Sequence, residues 1–264
     1  MGIYMECREI IEKLETLSPP GYAEEWDNIG LLAGRRDKEV RTIYIALDAT
    51  DEVIADAVHV GADMLLTHHP LIFKKLSRVN TADFIGRRVY ELIRNDISYY
   101  AMHTNFDVRG MADAAADELG LCDRKVLNVT FEDEIAMEGC GRVGRLRERM
   151  SVEALAELVR ESFHVPNVRV FGNLKDTVET AAVMPGSGGG YISDAVRMGA
   201  EVMITGDISH HEGIDAVAQG VRIIDAGHYG IEKLFIPYME EFLKRELPSL
   251  KVCRAEFCEP FVVV

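Results

Sequence analysis

Ala62-Asp63-Met64-Leu65-Leu66-Thr67-His68-His69-Pro70 is the stretch from which this chain is read. Met64 to Leu66 is an apolar run of strand length. It ends in a polar threonine, two adjacent histidines and a proline that stops the strand. A helix-like segment, Asp51 to His59, precedes it and is closed by Gly61. Helix followed by short buried strand is the pattern of parallel α/β units. Open α/β sheets bind ligands at the carboxyl ends of their strands, where His68 and His69 fall. Two neutral imidazoles leaving one strand end can each reach a different metal ion. On these two residues alone, a solvated loop pair is an equal reading.

Working outward toward the amino end, Thr42 to Leu47 reads as a β-branched strand that stops at Asp48. Before it, Glu24 to Gly34 carries the only tryptophan, Trp26, beside Asp27-Asn28 and two glycines; a packed tryptophan next to an Asx turn is expected there. Ile10 to Leu17 has helical spacing and is ended by Ser18-Pro19-Pro20-Gly21. Toward the carboxyl end, Phe84 to Asn95 reads as an amphipathic helix and Ile97 to Met102 as a strand. That strand runs into His103-Thr104-Asn105-Phe106-Asp107. His103 and Asp107 face one way if the turn after the strand is helical. Met111 to Leu119 is an alanine-rich helix closed by Gly120.

The character changes near Asn128, so the chain is divided into a first α/β half, 1–128, and a second, 129–264, with the C-terminal helix able to pack back on the first. In the second half, strands are expected around 141–146, 168–171 and 180–184, and a helix opens at Ser151 as N-cap. The last strand runs into Pro185-Gly186-Ser187-Gly188-Gly189-Gly190, a tight turn or an anion nest without the lysine of a P-loop.

A repeat then appears. Ile192 to Thr205 laid beneath Ile54 to Thr67 matches at Ile, Asp, Ala, Val, Gly, Ala and Thr, and most other pairs are apolar or acidic in both. Where the first copy has His68-His69, the second has Gly206-Asp207. Val221 to Asp225 is a strand in the second copy. His103-x-x-x-Asp107 then matches His228-x-x-x-Glu232, with Glu232 expected in the first turn of a final helix, Ile231 to Leu247.

With 264 residues, nearly half of them hydrophobic, the chain can bury a sizeable core. A formal net charge of -15 argues against nucleic acid as main partner and suits a site that attracts cations. The five cysteines are an odd number with no C-x-x-C pair, and they read as reduced thiols of a cytoplasmic protein. No signal-peptide core and no apolar run of membrane-spanning length is seen.

Pooled, the strand ends offer His68, His69, His103, Asp107, His228 and Glu232. Imidazole with carboxylate suits zinc, iron or manganese better than calcium. Two ions bridged by a carboxylate, or one ion with three ligands, both accommodate this set. His103 is read equally as a ligand or as a supporting hydrogen-bond partner. His210-His211 lie beyond the strand end and are read as rim or surface.

These residues resemble the GTP cyclohydrolase I type 2 family, also called the NIF-three-like family. The pieces that carry the resemblance are Trp26-Asp27-Asn28-Ile29-Gly30-Leu31, Thr67-His68-His69-Pro70-Leu71-Ile72-Phe73, His103-Thr104-Asn105-Phe106-Asp107, Thr205-Gly206-Asp207, and Asp225-Ala226-Gly227-His228 with Glu232. The resemblance implies two similar α/β domains with two divalent ions (Zn, Fe or Mn) in the cleft between them. It maps the ligands onto His68, His69, Asp107, His228 and Glu232, and it implies a toroidal homohexamer. The chain looks like the family's short form, without the domain that longer members insert. It departs at Ile231, where the family has Thr or Ser just before the glutamate. Two functions follow from the resemblance. One is a metal-dependent hydrolase of a purine nucleotide such as GTP, with hydroxide attack at C8, His103 moving protons and the Gly186–Gly190 loop holding phosphate. The other is a metal-binding or regulatory ring that acts through protein partners.

Overall fold

The computed structural model describes residues 4–262 and 264. The chain divides into two compact units. The first takes the chain up to Phe106 and again Phe235–Cys258; the second takes Asp107–Leu234 and Glu259–Val264.

The first unit begins with β1 (Met5–Glu6), α1 (Cys7–Leu17), β2 (Gly30–Ala33), β3 (Glu39–Val40) and β4 (Thr42–Ala46). Helix α2 (Asp51–His59) leads to β5 (Met64–Thr67), α3 (Phe84–Arg94) leads to β6 (Ser98–Ala101), and α4 (Thr104–Phe106) closes this passage. The second unit opens with a π-helical turn, Asp107–Met111, and α5 (Ala112–Glu118). A long hairpin follows, β7 (Cys122–Glu132) and β8 (Met137–Ser151), then α6 (Val152–Ser162), β9 (Arg169–Phe171) and β10 (Thr177–Ser187). Helix α7 (Ile192–Arg197) leads to β11 (Val202–Gly206), α8 (His210–Ala218) leads to β12 (Arg222–Asp225), and α9 (His228–Glu232) ends the passage. The chain returns to the first unit with α10 (Phe235–Glu246) and β13 (Lys251–Arg254). The position expected to separate the halves, 128/129, thus lies inside β7.

The architecture is α/β. In the first unit a five-stranded sheet has the order β13-β4-β5-β6-β2, parallel throughout except for β2. In the second a six-stranded sheet has the order β7-β8-β10-β11-β12-β9, with β10, β11 and β12 parallel. Strands β4, β5, β6 and β11 are buried at every position, which is why they read as continuous apolar runs rather than alternations. Ile54, Ala57, Leu65, Val89 and Tyr99 belong to the first unit's core; Val159, Val183, Val202, Ile204 and Ile224 belong to the second's.

The two copies of the repeat make the same hydrogen bonds, position by position. After α2, Gly61 takes φ +67 and its N–H donates to Val58; after α7, Gly199 takes φ +76 and donates to Val196. Ala62 donates to Ala57, and Ala200 to Ala195. The left-handed glycine ends each helix without a Cβ penalty and turns the chain into the strand. The acidic residue next in line has one job in both. The Asp63 carboxylate accepts the backbone N–H groups of Arg41 and Thr42, and the Glu201 carboxylate accepts those of Glu179 and Thr180. At the far end, Met102 N–H donates to Thr67 and Ala226 N–H to Thr205.

Two expectations are corrected. The helix expected over 231–247 is broken, with α9 ending at Glu232 and α10 starting at Phe235. Pro237 falls in the first turn of α10, where its missing N–H leaves no bond unmade. Glu232 is therefore the last residue of a short helix, not a first-turn residue of a long one. Trp26, expected to be packed, is 58% exposed. The strand expected around 141–146 is present and forms the middle of the 15-residue β8.

Candidate metal centre

In the first unit the site grows from the end of β5. The Thr67 hydroxyl donates to the His69 carbonyl at 2.8 Å and lies 2.8 Å from the hydroxyl of Tyr99 on the neighbouring β6. That phenol also donates to the His69 carbonyl and accepts the Leu71 N–H at 2.7 Å. Burial keeps the Tyr99 hydroxyl protonated far above its ordinary range, so it stays a hydrogen-bonding group. The His68-His69-Pro70 turn is thereby held from the neighbouring strand as well as its own.

Each imidazole has its Nδ1 against an oxygen. For His68, fully buried, this is the Met102 carbonyl at 2.8 Å. For His69 it is Asp48 Oδ1 at 2.8 Å, and for His103 it is Asp27 Oδ1 at 2.9 Å. An oxygen acceptor at Nδ1 selects the Nδ1–H tautomer and puts the lone pair on Nε2. The rings cluster, with centroids 4.9 Å apart for His68 and His69, 5.2 Å for His68 and His103, and 5.6 Å for His69 and His103. Their ligand atoms lie within 4.8 Å of one another, a spacing that can hold a metal ion. His68 also packs on Phe235, centroids 5.4 Å apart, and Phe106 meets Phe235 edge-on at 5.1 Å, so an apolar wall backs the cluster.

Asp27 is the support the sequence did not reveal as such. Its side chain is shut off from solvent. Burial alone would raise its carboxyl, but hydrogen bonds from His103 and from the Thr104 hydroxyl (2.6 Å) and N–H (3.1 Å) outweigh this and hold it at about 2. It is an ionised acceptor that orients His103. Asp48 has the same relation to His69. Both stand at chain positions quoted above, yet only folding shows that each faces an imidazole.

The second unit carries the carboxylates. His228 Nε2 lies 2.8 Å from Glu232 Oε2, four residues on, and its Nδ1 lies 2.8 Å from Asp207 Oδ2. Asp207 also accepts the Ser187 hydroxyl; burial raises its carboxyl, and the bonds from His228 and Ser187 lower it further than burial lifts it. The ligand atoms of Asp107 and Glu232 lie within 4.8 Å of each other. Buried Asp225 at the end of β12 accepts the N–H groups of Ile208 and Gly227, tying together the turns that carry Asp207 and His228. The π-helical turn that begins at Asp107 is clamped by buried Arg142. This guanidinium takes the Asp113 carboxylate with Nε at 2.7 Å and Nη2 at 2.9 Å and also reaches the Val108 carbonyl.

The glycine run is packed at Gly186, Gly188 and Gly189 and open only at Gly190. A Cβ on Gly186 would stand 2.4 Å from Glu232 Oε1, one on Gly188 2.0 Å from Thr205 Oγ1, and one on Gly189 2.1 Å from Glu212 Oε1. Carboxylates line this turn, which disfavours an anion there. His210 and His211 are exposed at the start of α8, and among the described residues they join no group with metal-ligand spacing. Ile231, where a hydroxyl would be expected from the resemblance, is buried in the second unit's apolar core.

The Duf34/NIF3 (NGG1p interacting factor 3) family model matches residues 5–259. The chain belongs to this family. A GTP cyclohydrolase 1 type 2 homolog of Clostridium perfringens is 36% identical over 247 residues, 93% of this chain and 94% of that protein. Among solved structures, a Bacillus cereus protein related to NIF3 superposes with a TM-score of 0.89 at 27% identity, covering 98% of this chain and 99% of that one. Reduced HcgD from Methanocaldococcus jannaschii gives 0.83 at 33% identity, covering 97% and 100%. Family members of nearly this chain's length therefore exist. No helix among the described residues is long and apolar enough to cross a membrane.

Proposed function

We propose that the protein is a divalent-metal-dependent hydrolase of the GTP cyclohydrolase 1 type 2 kind, acting on a purine nucleotide. One observation carries the reading. Three imidazoles, His68, His69 and His103, are each oriented through Nδ1 by an oxygen acceptor and have their ligand atoms within 4.8 Å. Nδ1 support of this kind turns Nε2 outward, toward a metal ion for His68 and His69 and toward a transferred proton for His103. The name carried by the Clostridium perfringens relative supports the nucleotide.

The donor set fits two divalent ions of the zinc, iron or manganese kind. His68, His69, Asp107, His228 and Glu232 would hold them: borderline nitrogen donors, with carboxylate charge to offset the ions. Bound there, such ions would supply Lewis acidity and lower the pKa of water. The chain's own residues do the rest. Asp48 and Asp207 fix the tautomers of His69 and His228. His103, with Nδ1–H on Asp27, presents Nε2 as the site at which a proton is taken up and released. Of the proposed ligands, His68 and His69 belong to the first unit, and Asp107, His228 and Glu232 to the second. A homohexamer of closed symmetry is the assembly proposed, and light scattering that finds a stable monomer over a wide concentration range would contradict it.

The test is anaerobic reconstitution with Zn, Fe or Mn, elemental analysis, and then a screen for turnover on GTP and other nucleotides. Two ions per chain with turnover are expected. Occupancy well below one ion would sink the metal reading. Full occupancy without turnover on any nucleotide would favour the non-catalytic ring.

A further inference from the structure

The feature of the first unit that the metal site does not use is a pair of exposed aromatic rings beside it. Trp26 is 58% exposed and Phe73 52%. Their ring centroids lie 5.7 Å apart, and each meets the His103 ring edge-on, at 6.0 Å and 6.5 Å. The pair is built rather than accidental. The Asn28 amide donates to the Ile72 carbonyl at 2.5 Å, which fastens the backbone beside Phe73 to the loop that carries Trp26. Asp27, between Trp26 and Asn28, is fixed by His103 and Thr104. A tryptophan left in water on a loop so firmly held is a surface made for contact.

Phe73 opens the second half of the feature. The connection from β5 to α3, residues 68–83, is long and without regular structure, the kind of loop that binds ligands. From 71 to 82 it contains Lys74, Lys75 and Arg78 and no acidic residue, in a chain of net charge -15. All three cations are exposed, and among the described residues none of them is engaged in an ion pair. A segment with three cations and no carboxylate, ending where Asp83 turns its side chain to cap α3, favours anions in an acidic protein. The glycine turn 186–190, with carboxylates as neighbours, does not.

We infer that Trp26 and Phe73 form a stacking platform for a planar heteroaromatic ring, and that Lys74, Lys75 and Arg78 take the phosphates attached to it. The ligand class is a purine nucleoside triphosphate. This rests on the proposed nucleotide chemistry and adds to it which residues recognise base and phosphates. A base stacked on Trp26 lies beside His103, the proposed proton carrier, so the platform also sets which ring edge faces the histidines. Base–aromatic stacking tolerates any base, so the platform supplies affinity for the ring and not the choice among purines.

Trp26 is the only tryptophan, so its fluorescence reports this platform alone. Chelator-treated protein is titrated with GTP and with inorganic tripolyphosphate. This makes the result independent of the metal assignment, which elemental analysis of reconstituted protein reads separately. GTP should quench Trp26 saturably; tripolyphosphate should compete with GTP without quenching. By calorimetry, Trp26→Leu should weaken GTP about tenfold or more and leave tripolyphosphate unchanged, with Trp26→Phe intermediate. Replacing Lys74, Lys75 and Arg78 by serine should weaken both ligands and flatten the dependence on salt. Equal binding of GTP and tripolyphosphate by wild type, or GTP binding unchanged in Trp26→Leu, overturns the inference. So does a change of oligomeric state in Trp26→Leu with GTP binding intact, which would make the rings a contact between copies.

Discussion

Replacing Gly186 by alanine should separate folding from metal binding. Two effects are built into the position. Its φ is +73, so any side chain there adopts the left-handed region at a penalty of about 1 kcal/mol. The new Cβ would also stand 2.4 Å from Glu232 Oε1, where contact requires roughly 3.4 Å. The Glu232 carboxylate must then move by about 1 Å, or the turn must. Glu232 is 4% exposed and lies 2.8 Å from His228 Nε2, so its swing also disturbs that histidine. Metal–ligand distances tolerate about 0.2 Å. Urea unfolding should therefore show a loss of about 1–2 kcal/mol, while metal affinity, read by competition with a chelator, should fall about tenfold or more. Gly186→Asn is the control, because asparagine accepts the left-handed backbone better but carries the same Cβ. It should recover stability and not metal affinity. Unchanged chelator competition in both variants, with only stability lowered, would mean that Gly186 is a turn residue and that Glu232 is no ligand.

Glu232→Gln should keep the fold and lose metal, since a neutral amide is a poorer ligand. His103→Ala should keep metal and lower turnover about 100-fold; if His103→Ala empties the site while Glu232→Gln keeps both ions, the two roles are reversed. Asp27 titrates in the folded protein at about 2, below the roughly 3.9 of an unfolded aspartate, so its contribution is present above pH ~4 and lost as pH falls through ~2. Asp27→Asn should therefore remove about 1–2 kcal/mol of the acid-dependent stability in that window; an unchanged acid limb would contradict the assignment. Tyr99→Phe leaves the Leu71 N–H and the Thr67 hydroxyl short of a partner and should cost about 1–3 kcal/mol in urea unfolding, with a matching loss of metal affinity if the His68-His69 turn loosens.

The repeat was legible because its constraints are local. Gly61 and Gly199 must be left-handed, Ala57 and Ala195 must be small and buried, and Asp63 and Glu201 must accept two backbone N–H groups of a neighbouring strand, at the start of β4 and at the irregularity of β10. All of this lies within a window of fourteen residues in each copy. What escaped is non-local. Strand β13 pairs with β4 across some two hundred residues of chain. Strand β7 alternates Leu127, Val129 and Phe131 with polar residues only in its second half, and of these only Leu127 is buried, so most of the strand lies outside the apolar pattern. The break after Glu232 depends on where Pro237 falls in α10, and the exposure of Trp26 has no signature, since a lone tryptophan reads as core. The histidines announced themselves at strand ends, whereas Asp27, Asp48 and Asp207 were ordinary turn aspartates until folding set each against an imidazole.

The divergence of the two copies carries the last step. At the end of β5 the chain places His68-His69; at the equivalent end of β11 it places Gly206-Asp207. Position 206 cannot hold a histidine, because a Cβ there would stand 2.4 Å from the backbone nitrogen of His228. The next position keeps a polar role but reverses it: His69 rests its Nδ1 on Asp48, whereas Asp207 is itself the acceptor for the Nδ1 of His228. Asp207 holds φ +57 to do so, a conformation that few residues other than glycine, asparagine and aspartate adopt readily. One copy has thus been specialised to present nitrogen donors and the other to seat a histidine against carboxylates. Three neutral imidazoles bind a dication but leave its charge uncompensated; carboxylates offset the charge but select poorly among hard and borderline ions. Neither set alone suits a two-ion centre of the zinc, iron or manganese kind. The two ends of one repeated helix–strand unit thus offer opposite donor types, which is the physical reason that the proposed ligand set, His68, His69, Asp107, His228 and Glu232, mixes imidazole with carboxylate.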